Sequence, residues 1–183
     1  MTQYWFTADT HFSHENIIKY CNRPFKSIGE HDYFLIQNWN SRIKPEDIVF
    51  HLGDFCFKQV KQKDAEYYRQ QLNGNIIFLR GNHDSNNGIK TCIGDIRIHL
   101  GGKELLLIHK PEESCYGYYL CLVGHIHQHW KFRTMHFEKL AWDICNVGVD
   151  VWRGFPITIN EIFRAYLKWK KDGIQDLFWE KNV

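Results

Sequence analysis

Apolar residues along the chain fall into short runs, and most of these runs end abruptly at polar side chains. Tyr4-Trp5-Phe6 reads as a strand broken by Ala8-Asp9-Thr10-His11, after which Ser13 is placed to cap a helix through Cys21. Ser27 and Glu30 have capping-box spacing ahead of a helix whose Leu35, Ile36, Trp39 and Ile43 share one face, stopped by Pro45. Asp47 to Leu52 predicts a strand running into Gly53-Asp54. Ala65, Tyr68 and Leu72 mark a helix face closed by Asn73-Gly74, and Ile76 to Leu79 forms a strand entering Arg80-Gly81-Asn82-His83-Asp84. Glu104 to Ile108 runs into His109-Lys110-Pro111, and Leu120 to Val123 runs into Gly124-His125-Ile126-His127. Each of these five strands stops at a side chain able to bind metal.

Further along, Trp130 to His136, Ala141 to Val147 and Val149 to Trp152 are strand-like, with a tight turn at Asn146 to Asp150. Thr158 and Glu161 form a second capping-box spacing, opening a helix whose Ile162, Phe163, Tyr166 and Leu167 share a face before Gly173. The tail, Ile174 to Val183, keeps Ile174, Leu177, Phe178 and Trp179, which is apolar for a chain end. It either docks on the domain or supplies a homodimer contact. With no linker or repeat, residues 1–183 are expected to form a single α/β domain.

Composition narrows the field, leaving nucleic acid unadvertised rather than excluded. A chain of 183 residues with 44% hydrophobic content can bury about 70% of its unfolded surface without a metal or disulfide to staple it. A net charge of +2, with both signs interspersed, gives no polybasic field for nucleic acid or an anionic membrane. The six cysteines stand singly and no signal peptide precedes the first strand, which together predict free thiols in the cytoplasm. The excess is in histidine, of which there are eleven.

In α/β sheets ligands bind beyond the carboxyl ends of strands, where side chains distant in sequence meet. Here Asp9, His11, Asp54, Asn82, His109, His125 and His127 would converge. Oxygen and imidazole donors without thiolate suit borderline divalent ions, and seven ligands exceed the needs of one tetrahedral site.

These blocks, D-x-H at Asp9-Thr10-His11, GD at Gly53-Asp54, GNHD at Gly81 to Asp84, His109, and GHxH at Gly124 to His127, resemble in order those of the calcineurin-like metallophosphoesterases. "ADTHFSHENI" and "NVGVDVW" are similar to the small bacterial and phage members. The resemblance implies a β-sandwich of two mixed sheets flanked by helices. It implies two divalent ions per chain, Mn²⁺ first, with Fe, Ni, Co or Zn as alternatives. One ion would be held by Asp9, His11, Asp54 and His127, and the other by Asp54, Asn82, His109 and His125, with Asp54 shared. A hydroxide between the ions would attack phosphorus in line. His83 would face the phosphate and protonate or stabilise the leaving oxygen, while Asp84 holds either the turn or the imidazole.

Weaker substrate candidates are His14, Arg23 and Arg80, against the plainer readings of a helix-start histidine and surface arginines. His51 reads as a core histidine, and His129 and His136 as surface residues. Gly53-Asp54 continues as Phe55-Cys56-Phe57-Lys58, without the later Asp and Arg of the protein Ser/Thr phosphatases, which weakens a protein phosphatase reading; a monoanionic diester needs fewer cationic clamps than a dianionic monoester, which favours a phosphodiesterase over a phosphomonoesterase. The substrate class is a phosphoester, with nucleotides among the candidates. A non-catalytic protein-binding scaffold, as in a retromer subunit of this fold, is the competing reading. Substrate choice would lie in the loops Asn22 to Gly29, Ser85 to Gly94 and Glu112 to Tyr119.

Overall fold

The computed structural model describes residues 2–57 and 64–175. Lys58 and the tail residues Leu177, Phe178 and Trp179, on which the homodimer expectation rests, lie outside the described residues.

Two mixed sheets face each other. The first contains β1 (Tyr4–Thr7), β2 (Ile48–His51), β3 (Asn75–Phe78) and β9 (Ile157–Thr158) in the order β3-β2-β1-β9, with only β9 antiparallel. The second contains β4 (Asp95–Leu100), β5 (Lys103–Ile108), β6 (Leu120–Val123), β7 (Phe132–Phe137) and β8 (Leu140–Asn146) in the order β4-β5-β6-β8-β7. Strands β5, β6 and β8 are parallel, and the β4/β5 and β7/β8 pairs close the flanks as antiparallel ribbons.

The alternation of side chains along β5 and β6 explains why both strands are apolar throughout. Leu105, Leu107, Leu120 and Leu122 point into the intersheet core with Phe6, Phe50 and Leu52, while Leu106, Ile108, Cys121 and Val123 fill a second cluster on the outer face. Each of the four core leucines is fully buried, and each such burial contributes about 1.5–3 kcal/mol relative to exposure.

Helix α2 (Ile28–Arg42) and the short α3 (Ala65–Arg69) cover the other face of the first sheet through Leu35, Trp39, Ala65 and Tyr68. The remaining helices are α1 (Glu15–Tyr20) and α4 (Ile159–Asp172). Ile162 and Tyr166 of α4 join the intersheet core. Thr158 and Glu161 make the full reciprocal capping box of α4, and Gly173 ends it with φ +71. Ser27 caps α2 by accepting from Glu30 N–H, but the Glu30 carboxylate reaches back to Lys26 N–H, so that box is not reciprocal.

Three local expectations are corrected, and one strand is added. Ser13 does not cap α1; His14 occupies that position without a side-chain bond, and Ser13 N–H donates to the Asp32 carboxylate. Val149–Val151 is a 3₁₀ turn rather than a strand, because the chain bends there to bring Asp150 inward. Leu167 is 60% exposed and does not share the buried face of Ile162. Strand β4 occupies a stretch the sequence left unassigned.

The strand ends are tied together before any ligand is considered. Asp9 N–H donates to Gly53 O and His11 N–H to Asp54 O, joining the ends of β1 and β2, while Gly124 N–H donates to His109 O at the ends of β5 and β6. A bridge between Ala8 and Gly148 links the first sheet to the chain leaving β8. The carboxyl ends of parallel strands from both sheets thereby open onto one place.

Candidate metal centre

Asp9, His11 and His127 present ligand atoms that all lie within 4.8 Å of one another, and Asp54, His109 and His125 do the same. Between the two groups stands Asp54, whose Oδ2 is 3.7 Å from His11 Nε2 and 3.5 Å from His109 Nε2. Asn82 joins the second group, its Oδ1 lying 3.0 Å from His109 Nε2. A third group, Cys21, His127 and Asp150, is committed elsewhere, because Asp150 is bidentate to Arg23.

The backbone is unusual at these residues. Asp9, His11, Asp54, His125 and His127 all have left-handed backbones, with φ between 48 and 72. A non-glycine residue in that region costs of order 1–3 kcal/mol, and such strain persists only where the surroundings over-determine it. In Asp9-Thr10-His11 and His125-Ile126-His127 it recurs at alternate residues, so each x-spaced pair is turned into the same cleft. Close approach of the loops explains the glycines. A Cβ on Gly81 would collide with Asp54 Oδ1 and Asp54 N, and one on Gly53 would lie 2.5 Å from His109 Nδ1.

Hydrogen-bond partners assign the imidazole tautomers. His109 Nδ1 lies 2.6 Å from Leu52 O and therefore donates to it, and His127 Nδ1 faces Asp150 Oδ2 at 3.1 Å. Both rings then offer Nε2 to the cleft, the arrangement in which an outer partner orients a metal-binding histidine. His11 Nε2 is buried and has no hydrogen-bond partner among the described residues. An orphaned imidazole nitrogen beside carboxylates costs free energy unless something occupies the gap, so the donors present fit divalent cations.

Electrostatics agree. Burial opposes charge on Asp54, but the His109 contact and the other imidazoles hold its carboxyl well below the usual range. Burial pushes Asp9 up to about 6 against the neighbouring histidines. Burial disfavours protonated His109 and His127 as well, yet Asp54 and Asp9 raise His109 to about 9, and the Asp150 hydrogen bond raises His127 to about 10. The cleft concentrates negative charge and holds protons where cations would sit.

The description "Calcineurin-like phosphoesterase superfamily domain" matches residues 5–148. The chain belongs to this superfamily. The uncharacterized protein MJ1445 of Methanocaldococcus jannaschii is 35% identical over 175 residues, covering 93% of this chain and 94% of that one. The gene 66 protein of Mycobacterium phage L5 is 32% identical over 85 residues, 46% of this chain and 41% of that protein. Among solved structures, the protein of unknown function AQ665 from Aquifex aeolicus superposes with a TM-score of 0.67 at 25% identity, over 90% of this chain and 99% of that one.

Within this superfamily fold the other predicted residues take distinct places. His83 is exposed at the mouth, its ring centroid 5.9 Å from that of His11, and its backbone N–H donates to Asp54 Oδ1. Asp84 holds the turn rather than the imidazole: its buried carboxylate accepts from Asp54, Phe55 and Gly81 N–H, which clamps the GD loop to the GNHD loop. His14 stands at the rim, stacked on Phe57 at 4.5 Å and 5.4 Å from His11. Arg80 is exposed beside Asn82 and His109 around a small cavity.

Arg23 does not face phosphate. It is 3% exposed and its guanidinium is directed at Asp150, Asp9 O, Thr10 O and His31 Nε2. A buried arginine survives because every N–H has an acceptor. His51 is fully buried, as expected for a core histidine, with Nε2 3.0 Å from Thr10 Oγ1.

Three organising residues were missed as such. Asp150 orients His127 and anchors Arg23. Asn146 donates to His127 O and Trp130 O and accepts from Gly148 N–H, fixing the GHxH turn. Asp32 accepts from Tyr68 Oη, Ser13 N–H and His31 Nδ1–H, tying α2 to the D-x-H loop. The signal for Asp150 was its place in the Asn146 to Asp150 turn; nothing local marked Asp32.

Proposed function

We propose that the chain hydrolyses phosphoesters at a dinuclear centre, with diesters as the preferred class. The observation that carries this reading is the shared position of Asp54 between two ligand groups. Asp9, His11, Asp54 and His127 would hold one divalent ion, and Asp54, Asn82, His109 and His125 the other, with Mn²⁺ the first candidate. Bound there, the ions would supply charge neutralisation for phosphate oxygens and an acidified water near neutral pH.

The chain's own groups set the rest. Asp150 and Leu52 O keep the His127 and His109 rings aimed with Nε2 inward. Asp84 fixes the loop that presents His83, whose ring at the open mouth is placed to donate a proton to the departing oxygen. Arg23 is turned inward, which removes one cation that a dianionic monoester would use, and this favours the monoanionic diester.

The test uses Mn²⁺-loaded protein with bis(p-nitrophenyl) phosphate and p-nitrophenyl phosphate in parallel. Metal-dependent turnover with a higher kcat/KM for the diester is expected. Faster monoester turnover would move the reading to a phosphatase, and no turnover of either ester with both ions bound would oppose hydrolysis.

A further inference from the structure

Beside the second ligand group, a cavity of about 130 Å³ is lined by Arg80, Asn82, His109, Lys110 and Glu113. Pockets that take a whole small molecule begin near roughly 300 Å³, so this one accommodates a substituent. Two of its walls are the candidate ligands Asn82 and His109, which makes it continuous with the proposed centre rather than separate from it.

Gly81 and Gly94 also line it, and its remaining walls are charged. The Arg80 backbone is pinned by its N–H donation to Ile93 O, and its side chain leans over Gly94, yet its guanidinium has no acceptor among the described residues. Lys110 Nζ is 3.4 Å from Glu113 Oε1, an exposed pair of the kind that contributes little and yields readily to a better anion. A free planar guanidinium with an ammonium beside it matches the oxygens of a phosphate group.

We propose that this cavity is a subsite for a second phosphate, and that the substrate is a small phosphoester carrying a further phosphate group near the scissile one. The inference rests on the phosphoesterase reading for the first phosphate. The small net charge of +2, with both signs interspersed along the chain, weighs against a track for a long polyanion. The occupant is therefore a small molecule rather than a nucleic-acid strand.

Equilibrium binding tests this without requiring turnover. The full chain is loaded with Mn²⁺, and the affinities of thymidine 5′-monophosphate, thymidine 3′,5′-bisphosphate and a long oligothymidylate without terminal phosphates are compared by calorimetry. The bisphosphate is expected to bind at least tenfold more tightly than the monophosphate, and the oligothymidylate to show little of that gain. In the Arg80→Gln/Lys110→Gln double variant the ratio between bisphosphate and monophosphate falls toward one, with Mn²⁺ stoichiometry and the circular dichroism melt confirming an intact protein. Should the double variant not fold, each single substitution is measured, and each lowers the ratio. Equal affinities in the natural chain, or a ratio that survives the substitutions, would overturn the subsite. Oligothymidylate binding as tight as the bisphosphate would overturn the small-molecule occupant. A subsite confirmed in this way alongside absent ester turnover would instead count against the hydrolytic reading alone.

Discussion

Asp54 Oδ2 lies 3.7 Å from His11 Nε2 and 3.5 Å from His109 Nε2, so one carboxylate oxygen faces imidazoles delivered from the ends of β1 and β5. Asp54→Asn preserves the side-chain volume and removes the charge and one acceptor. Replacing even the outer partner of a metal ligand typically costs about 10–100-fold in affinity, so the loss for this shared position is expected to reach at least the upper end of that range. Competition with a chelator of known strength measures it.

Metal binding should release protons. Metal-free His109 and His127 hold theirs up to about 9 and about 10, so at pH 7 both rings are protonated. An ion at either Nε2 must displace one. Affinity therefore rises with pH across the neutral range and levels off only above these values. Calorimetry in buffers of different ionisation enthalpy reads the released protons directly; a pH-independent affinity between 6 and 8 would contradict the assignment.

His83 stands at the mouth with an exposed side chain, and its removal should leave the scaffold alone. His83→Gln is expected to lower kcat by about 100- to 10,000-fold, the range for a lost general acid. Stability should change by less than about 0.5 kcal/mol, as for exposed positions. Turnover and urea unfolding measured on the same preparation separate the two effects.

The Arg23–Asp150 pair lies completely buried, with side chains 2.8 Å apart. Arg23→Met would strand the Asp150 carboxylate, which Arg23 and His127 hold well below its usual range against the cost of burial. Breaking one side of such a pair costs about 3–5 kcal/mol. Arg23→Lys should recover only part of this, since an ammonium cannot reproduce the bidentate contact or reach Asp9 O and Thr10 O as well. Chemical denaturation of the two variants checks the order.

How far the sequence carried the fold depended on whether a pattern was local. The strands ending at Asp9, Asp54, Asn82, His109 and His125 were legible because each apolar run stops where polar chemistry starts. The capping box of Thr158 and Glu161 was legible because both partners lie within one turn. Strand β4 carried a readable alternation of Ile96, Ile98 and Leu100 with Asp95, Arg97 and His99, but its turn-rich approach hid it among the loops. Arg23 misled because its partner, Asp150, is 127 residues away, and burial at such a distance leaves no local trace. The left-handed backbones of Asp9, His11 and His127 likewise depend on loop contacts across the two sheets, which no propensity encodes.

The most direct test of the account is electron paramagnetic resonance of the chain titrated with Mn²⁺, alongside metal analysis. Two ions per chain with an exchange-coupled spectrum, giving way to an isolated-ion spectrum in Asp54→Asn, is the predicted result. A single ion at saturation, or two ions whose spectra remain uncoupled in the natural chain, would contradict a centre built around Asp54.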